Sequence, residues 1–198
     1  MRHKNKAVFL DRDGVINELV ITAEEGFVDS PNSAKQFRLI CGVEKALQIF
    51  KKMGYMLILV SNQPGIAKGQ YDIKEFNKIK EKMEKKLARY KIEIDGQYYC
   101  LHHPNAKIAK YRKKCKCRKP KTKLFFDAVT EHDIDYKKSF FIGDGLADML
   151  LAKKVNCKAI FIGNVNYIIT KLFHEKHIIP SYIAHDLLEA ANHIKKFQ

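Results

Sequence analysis

Apolar positions along the chain alternate between two periods. Lys6 to Leu10 is a short continuous apolar run of the kind a fully buried strand requires, and Val43, Ala46, Leu47, Phe50 and Met53 then recur at helical spacing until Gly54. Tyr55 to Val60 is a second buried strand, followed by Ile73, Phe76, Ile79, Met83, Leu87 and Tyr90 on one face of a long amphipathic helix. Gln97 to Cys100, Ser139 to Ile142 and Lys158 to Ile162 are further strands, with helices near Thr122 to His132 and Leu146 to Val155 between them. Ser181 to Ile183 and Asp186 to Lys196 read as a last edge strand and a closing helix. The pattern assigns no element between Ile162 and Ser181. Strand and helix alternate throughout, which predicts an α/β fold of parallel βαβ units, a sheet covered by helices on both faces in three layers. In such a fold the ligand crevice lies beyond the carboxyl ends of the strands.

The chain has 198 residues, 46% hydrophobic and 30% charged, enough for one sizeable core, so residues 1–198 read as a single domain. The longest uncharged stretch, Ala159 to Thr170, is too short to span a bilayer. The basic start, Met1 to Lys6, is followed by an apolar stretch that ends at Asp11, too early for a secretion signal. Five cysteines, three of them within an eighteen-residue window beside histidines, suit metal binding in a reducing compartment. The expected location is the cytoplasm. Net charge is +15, and Lys107 to Lys123 holds ten Lys/Arg residues and no acid. Such a strip can hold a polyanion, guide a small phosphorylated substrate, or be a solvated surface. It lacks the interleaved aromatics that stack exposed bases, so nucleic acid is the less favoured partner and a small phosphorylated metabolite the expected one.

Four segments at the ends of these strands carry chemistry. Phe9-Leu-Asp-Arg-Asp-Gly-Val15 sets Asp11 and Asp13 two residues apart beside a turn glycine. Phosphoryl transfer through an enzyme intermediate needs a nucleophilic oxygen, a group that handles the leaving-group proton, and a cation. Asp11 and Asp13 supply the first two. After the second strand come Ser61-Asn-Gln-Pro-Gly65, with a hydroxyl, amides and backbone N–H groups able to bond phosphate oxygens. Lys119, in Arg118-Lys-Pro120, can balance a phosphoryl group in transit. In Phe141-Ile-Gly-Asp-Gly-Leu-Ala-Asp148, Asp144 ends a strand where it can bind Mg²⁺, and Asp148 follows one helical turn later. Asp148 is placed to orient rather than to ligate, or to stabilise a helix N-terminus.

Together, Asp11-x-Asp13-Gly14, Ser61, Lys119 and Gly143-Asp144-x-x-x-Asp148 resemble the signature motifs of the haloacid dehalogenase superfamily of phosphatases across nearly the whole chain. More narrowly, Ser61-Asn-Gln-Pro-Gly-Ile-Ala-Lys-Gly69, Tyr98-Tyr-Cys-Leu-His-His-Pro104 and Cys115-Lys-Cys-Arg-Lys-Pro120 are similar to the D-glycero-D-manno-heptose-1,7-bisphosphate 7-phosphatase and histidinol-phosphate phosphatase subfamily. The resemblance implies a Rossmann-like core without a large cap domain and a magnesium-dependent phosphomonoesterase working through an aspartyl-phosphate at Asp11. It implies Asp13 as general acid/base that also ligates Mg²⁺ through its carbonyl, Mg²⁺ held by Asp11, Asp13 and Asp144, Ser61 and Lys119 on the phosphoryl group, and Asn62, Gln63 and Arg118 as substrate contacts. Histidinol phosphate and a 3′-phosphorylated polynucleotide are the rival substrates; a zinc-stapled binding module is the non-enzymatic alternative. The chain departs from the heptose pattern twice. Glu25-Gly-Phe-Val28 can be matched to a His-Gly-Tyr-Val-like segment, replacing a cation by Glu25, and Gly145 follows Asp144 where a lysine is expected.

Cys100-x-His102 and, after twelve intervening residues, Cys115-x-Cys117 form a complete tetrahedral set for a structural Zn²⁺. Spacing alone does not separate His102 from His103; the family pattern puts the ligand at His102. A closed site would staple the loop 100–117 and deliver Arg118 and Lys119 to the crevice. Cys41 and Cys157 read as core residues, and the chain as a monomer.

Overall fold

The computed structural model describes residues 4–21, 26 and 28–197, so Glu25 and its departure from the heptose pattern lie outside the described residues. β1 (Lys6–Leu10) leads through a two-stranded ribbon, β2 (Val20–Ile21) with β3 (Val28–Asp29), to α1 (Val43–Lys52). β4 (Tyr55–Asn62), α2 (Gly65–Lys68), α3 (Ile73–Ala88) and β5 (Gly96–Cys100) follow. The second half runs α4 (Lys123–Glu131), β6 (Phe140–Gly143), α5 (Leu146–Val155), β7 (Lys158–Ile162), α6 (Tyr167–Glu175), β8 (Tyr182–Ala184) and α7 (Leu187–Lys196). The six strands other than the ribbon form one parallel sheet in the order β5-β4-β1-β6-β7-β8.

The continuous apolar strings conceal a strict period of two. In β1, Val8 and Leu10 enter the core shared with α1, α3 and α7, while Ala7 and Phe9 enter the core shared with α4 and α5. Leu57 and Leu59 against Ile58 and Val60 in β4, and Phe140 and Ile142 against Phe141 in β6, divide the same way. Both faces of these central strands are therefore closed to water, and their interior positions are apolar up to the carboxyl ends. Phe9 packs on Phe125 at 4.4 Å between ring centres and lies parallel to Phe141 at 6.1 Å, filling the second core.

β4 extends two residues beyond its apolar run, because Ser61 and Asn62 still pair with Tyr99 and Cys100 of β5. The helix α6, where no element is assigned above, is capped by Asn166 accepting from the Ile169 amide at 3.0 Å. Ile169, Leu172 and Phe173 follow helical spacing, with Phe173 buried in the second core and Ile169 packed against it. Cys157 is buried as expected, but Cys41 is exposed in the turn before α1. Among the described residues, no helix is long and apolar enough to cross a membrane.

Candidate active site and metal centre

The sheet order reverses around β1: the chain first builds outward through β4 and β5, then crosses to β6 on the other side. The carboxyl ends of β1, β4 and β6 thus border one crevice, where open α/β sheets bind ligands. Asp11 leaves β1 there, its backbone N–H donating to the Ile142 carbonyl of β6 at 3.0 Å. One oxygen of its carboxylate accepts from the Arg12 amide at 2.7 Å and the other lies 2.9 Å from Lys119 Nζ. Lys119 is only 3% exposed and also reaches Asp148 at 2.6 Å. Burial alone would strip its proton, but Asp11 and Asp148 more than reverse that and raise its pKa. The lysine backbone is held as firmly, since the Asn62 side chain accepts from Lys119 N at 2.9 Å and donates to its carbonyl at 3.2 Å.

Asp148 makes two contacts. One carboxylate oxygen faces Lys119 and the other accepts from the Gly145 amide at 3.1 Å, closing the first turn of α5. Gly143 is required beneath it, because a Cβ there would lie 2.4 Å from Asp148 atoms. Gly14, at φ +76°, makes the matching room for Asp144: a Cβ would sit 1.9 Å from its carboxylate.

Asp11, Asp144 and Asp148 each offer an oxygen, all within 4.8 Å of one another, against the single ammonium of Lys119. Burial, then the charges of Asp11 and Asp148, push Asp144 up to about 8, and burial lifts Asp148 to about 6 against the pull of Lys119. This unbalanced negative charge fits a hard divalent cation, and of the three carboxylates only Asp144 has no lysine partner. The sign of the pH dependence follows. Unfolded, Asp144 releases its proton near 3.8, whereas the metal-free fold retains it to about pH 8, so stability falls as pH rises through that window. Binding of Mg²⁺ at pH 7 should then release a proton, and apparent affinity should rise by up to about tenfold per pH unit below 8. Titration calorimetry in buffers of different ionisation enthalpy measures this; affinity that is constant from pH 6 to 8 would contradict it.

Asp13 is buried among donors. Arg12 Nε and Nη2 reach one oxygen at 3.0 and 2.9 Å, Asn17 Nδ2 the same oxygen at 2.9 Å, and Gln63 Nε2 the other at 2.6 Å. Burial would raise its carboxyl, but Arg12 and these donors hold it below the ordinary value. Arg12, fully buried, and Asn17 were not among the residues singled out by motif; the only signal is that a charged residue between two site aspartates, flanked by a strand buried on both faces, has nowhere else to place its charge.

Beyond β5 the four metal-ligand candidates converge. Cys100, Cys115 and Cys117 Sγ and His102 Nδ1 all lie within 4.8 Å of one another, with His102 Nδ1 3.2 Å from Cys117 Sγ. His103 turns away and accepts from the Asn105 amide at 3.2 Å. Burial and Lys113 lower the His102 pKa, keeping the neutral ring that a metal needs. The quartet can hold a zinc ion. The loop it closes contributes one buried residue, Ala106, and touches α2 through Ile108 N donating to the Ala67 carbonyl at 3.1 Å. Arg118 follows at once, half-buried and near the His102 carbonyl at 3.5 Å.

A carboxylate facing a buried lysine at the end of a central parallel strand, with an acidic cluster beside it that can hold a divalent cation, suits a phosphoryl-transfer enzyme. Comparison with known proteins agrees. The family described as polynucleotide kinase 3 phosphatase matches residues 11–171. A D-glycero-beta-D-manno-heptose-1,7-bisphosphate 7-phosphatase of Photorhabdus laumondii subsp. laumondii is 41% identical over 96% of this chain and 97% of its own. One of Haemophilus influenzae is 42% identical over 73% and 74%. Among solved structures, D,D-heptose 1,7-bisphosphate phosphatase from B. bronchiseptica, complexed with magnesium and phosphate, aligns with a TM-score of 0.79 at 25% identity, covering 98% of this chain and 99% of that one. The chain is a phosphatase of the haloacid dehalogenase superfamily, and it belongs to the family that contains the D-glycero-beta-D-manno-heptose-1,7-bisphosphate 7-phosphatases.

Proposed function

We propose that the chain removes the 7-phosphate of D-glycero-D-manno-heptose 1,7-bisphosphate, as a single-domain, monomeric, cytoplasmic enzyme with Mg²⁺ in the crevice and a structural Zn²⁺ in the loop 100–117. The observation that carries the reading is the Asp11 carboxylate fixed between the Arg12 amide and Lys119 at the end of β1. An Asp11 oxygen attacks phosphorus and the ester bond breaks, giving an aspartyl-phosphate and an alkoxide that takes a proton from Asp13. Water then gives its proton to Asp13 and attacks phosphorus, returning Asp11 and inorganic phosphate. Arg12, Gln63 and Asn17 hold the ligand-free Asp13 deprotonated, the state the second half needs; the negative charge of the arriving phosphoryl group raises its affinity for the proton it needs in the first. Lys119 and Ser61 hold the phosphoryl oxygens. Asp11, Asp144 and the Asp13 carbonyl would hold Mg²⁺, which when bound supplies charge neutralisation to the phosphoryl group. Asn62 acts through the Lys119 backbone it brackets. Gly145 provides no cation for a second phosphate, so that duty falls to Arg118, which has no carboxylate partner among the described residues.

Phosphate release across heptose 1,7-bisphosphate, hexose phosphates, histidinol phosphate and a 3′-phosphorylated oligonucleotide, with Mg²⁺ present, tests the substrate. The bisphosphate should be turned over with the highest kcat/KM and lose only its 7-phosphate. Preference for histidinol phosphate would move the chain to the sister activity. Preference for the oligonucleotide, with affinity falling steeply as salt is added, would make the basic strip a nucleic-acid surface instead.

A further inference from the structure

Resting on the phosphatase reading, we propose that Gln63 is the positioning residue of the site: it does not touch substrate but sets the carboxylate of Asp13 and the hydroxyl of Ser61 together, with Tyr71 fixing its orientation. A primary amide has two N–H donors and one carbonyl acceptor. Gln63 is 1% exposed, and both donors are engaged, Nε2 lying 2.6 Å from Asp13 Oδ2 and 3.0 Å from Ser61 Oγ. Its Oε1 faces the Tyr71 hydroxyl at 3.5 Å. No group of the amide is left to meet a ligand.

The direction of these bonds has chemical consequences. The Tyr71 hydroxyl can donate to Oε1, whereas a flipped amide would aim a carbonyl oxygen at the Asp13 carboxylate, so only the observed orientation is satisfied. The Ser61 oxygen accepts from Gln63, which leaves its own proton free to point into the crevice at a phosphoryl oxygen. Asp13 receives Gln63 on the oxygen opposite to the one that Asn17 and the short Arg12 contacts occupy, so its carboxylate plane is pinned from both sides. The support is rigid. Gln63 N donates to the Cys100 carbonyl at 2.8 Å, tying the residue to the end of β5, and the Tyr71 ring lies directly over Gly65, where a Cβ would come within 2.2 Å of it. One buried side chain therefore couples the proton-transfer group to the phosphate-holding hydroxyl across two strand ends.

The test uses the full chain loaded with zinc and Mg²⁺ and two substrates: p-nitrophenyl phosphate, whose leaving group departs without a proton, and the best alkyl phosphate of the panel above, whose alkoxide requires one. Gln63→Met keeps volume and removes both donors. It should lower kcat on the alkyl ester by roughly 100-fold and on the aryl ester by roughly tenfold, with KM changing less than about threefold, because misplaced proton transfer costs only the substrate that needs it. Tyr71→Phe keeps the ring over Gly65 and should lower the alkyl rate by about three- to tenfold with the aryl rate within twofold. Melting temperature and zinc content identify a variant that has lost its fold, in which case Tyr71→Phe alone decides. Equal losses on the two esters, or a folded Gln63→Met within twofold of wild type on both, overturn the positioning role. Failure of the wild-type chain to hydrolyse either ester would overturn the phosphatase reading and this inference with it, so the two failures are distinguishable.

Discussion

Replacing Asp11 by asparagine is expected to abolish phosphate release, by at least about 10⁴-fold in kcat, while leaving the fold and the zinc content intact. Asparagine has the same shape, and its carbonyl oxygen can still accept from the Arg12 amide, so the end of β1 keeps its geometry. What disappears is the nucleophilic oxygen and one of three carboxylates crowded around a single ammonium. Removing that charge relieves Asp144, whose carboxyl is held at about 8 in part by Asp11 and should titrate lower in the variant. Stability of the metal-free protein should therefore be unchanged or slightly increased at neutral pH, and Mg²⁺ should bind more weakly. Rapid quench in acid, which preserves an acyl phosphate, followed by hydroxylamine cleavage gives the direct readout: wild type carries phosphoryl-enzyme on Asp11 and the variant does not. Turnover at the wild-type rate by a verified Asp11→Asn protein would end the covalent mechanism.

Loss of the loop metal should act on stability first and on turnover through it. Residues 101–116 bury only Ala106, so nothing apolar holds the loop when Cys100, His102, Cys115 and Cys117 no longer share an ion. Three thiols and an imidazole confined within 4.8 Å would then be a crowded polar cluster beside the core residue Cys100. If the ion contributes about 5 kcal/mol, well below the binding energy typical of structural zinc, its removal lowers Tm by roughly 10–20 °C in a chain of this size. Turnover should fall as well, because the loop runs directly into Arg118 and Lys119, and Lys119 reaches Asp11 only while its backbone sits between the two arms of Asn62. Omitting Mg²⁺ should have the opposite signature, no turnover with melting little changed. Differential scanning calorimetry after treatment with a zinc-selective chelator, with metal content assayed and Mg²⁺ restored, separates the two. Unchanged melting after verified zinc loss would refute the structural role.

Much of this molecule is legible in the chain, and the illegible part has a physical pattern. Helix and strand positions follow from local periodicity, which is why β1, β7 and α1 fall on the residues their apolar spacing marks; α6 carries helical spacing as well, although no element is assigned there from the pattern. The metal quartet is readable because thiolates in C-x-H and C-x-C pairs have few other uses, yet choosing His102 over His103 on geometry required the ring directions, one toward Cys117 and the other toward the Asn105 amide. Motif spacing likewise names Asp11, Asp13, Ser61, Lys119 and Asp144 without saying what each side chain touches.

Those contacts belong to the tertiary structure. Asn62 brackets Lys119 across 57 residues and Gln63 holds Asp13 across 50, pairings that exist only because the sheet places β4 beside β1 and the crossover brings the zinc loop back over both. Burial adds a second layer: identical aspartates become a clamped carboxylate at Asp13, a raised carboxyl at Asp144 and a lysine-bound cap at Asp148, because desolvation and neighbouring charge differ within a few ångströms. Spacing along the chain picks out the residues proposed to carry chemistry and roughly where in the fold they lie, since one-dimensional spacing encodes neighbours within an element. Their partners, and the protonation state each partner favours, come from the folded chain, since those depend on distances between elements that spacing does not record.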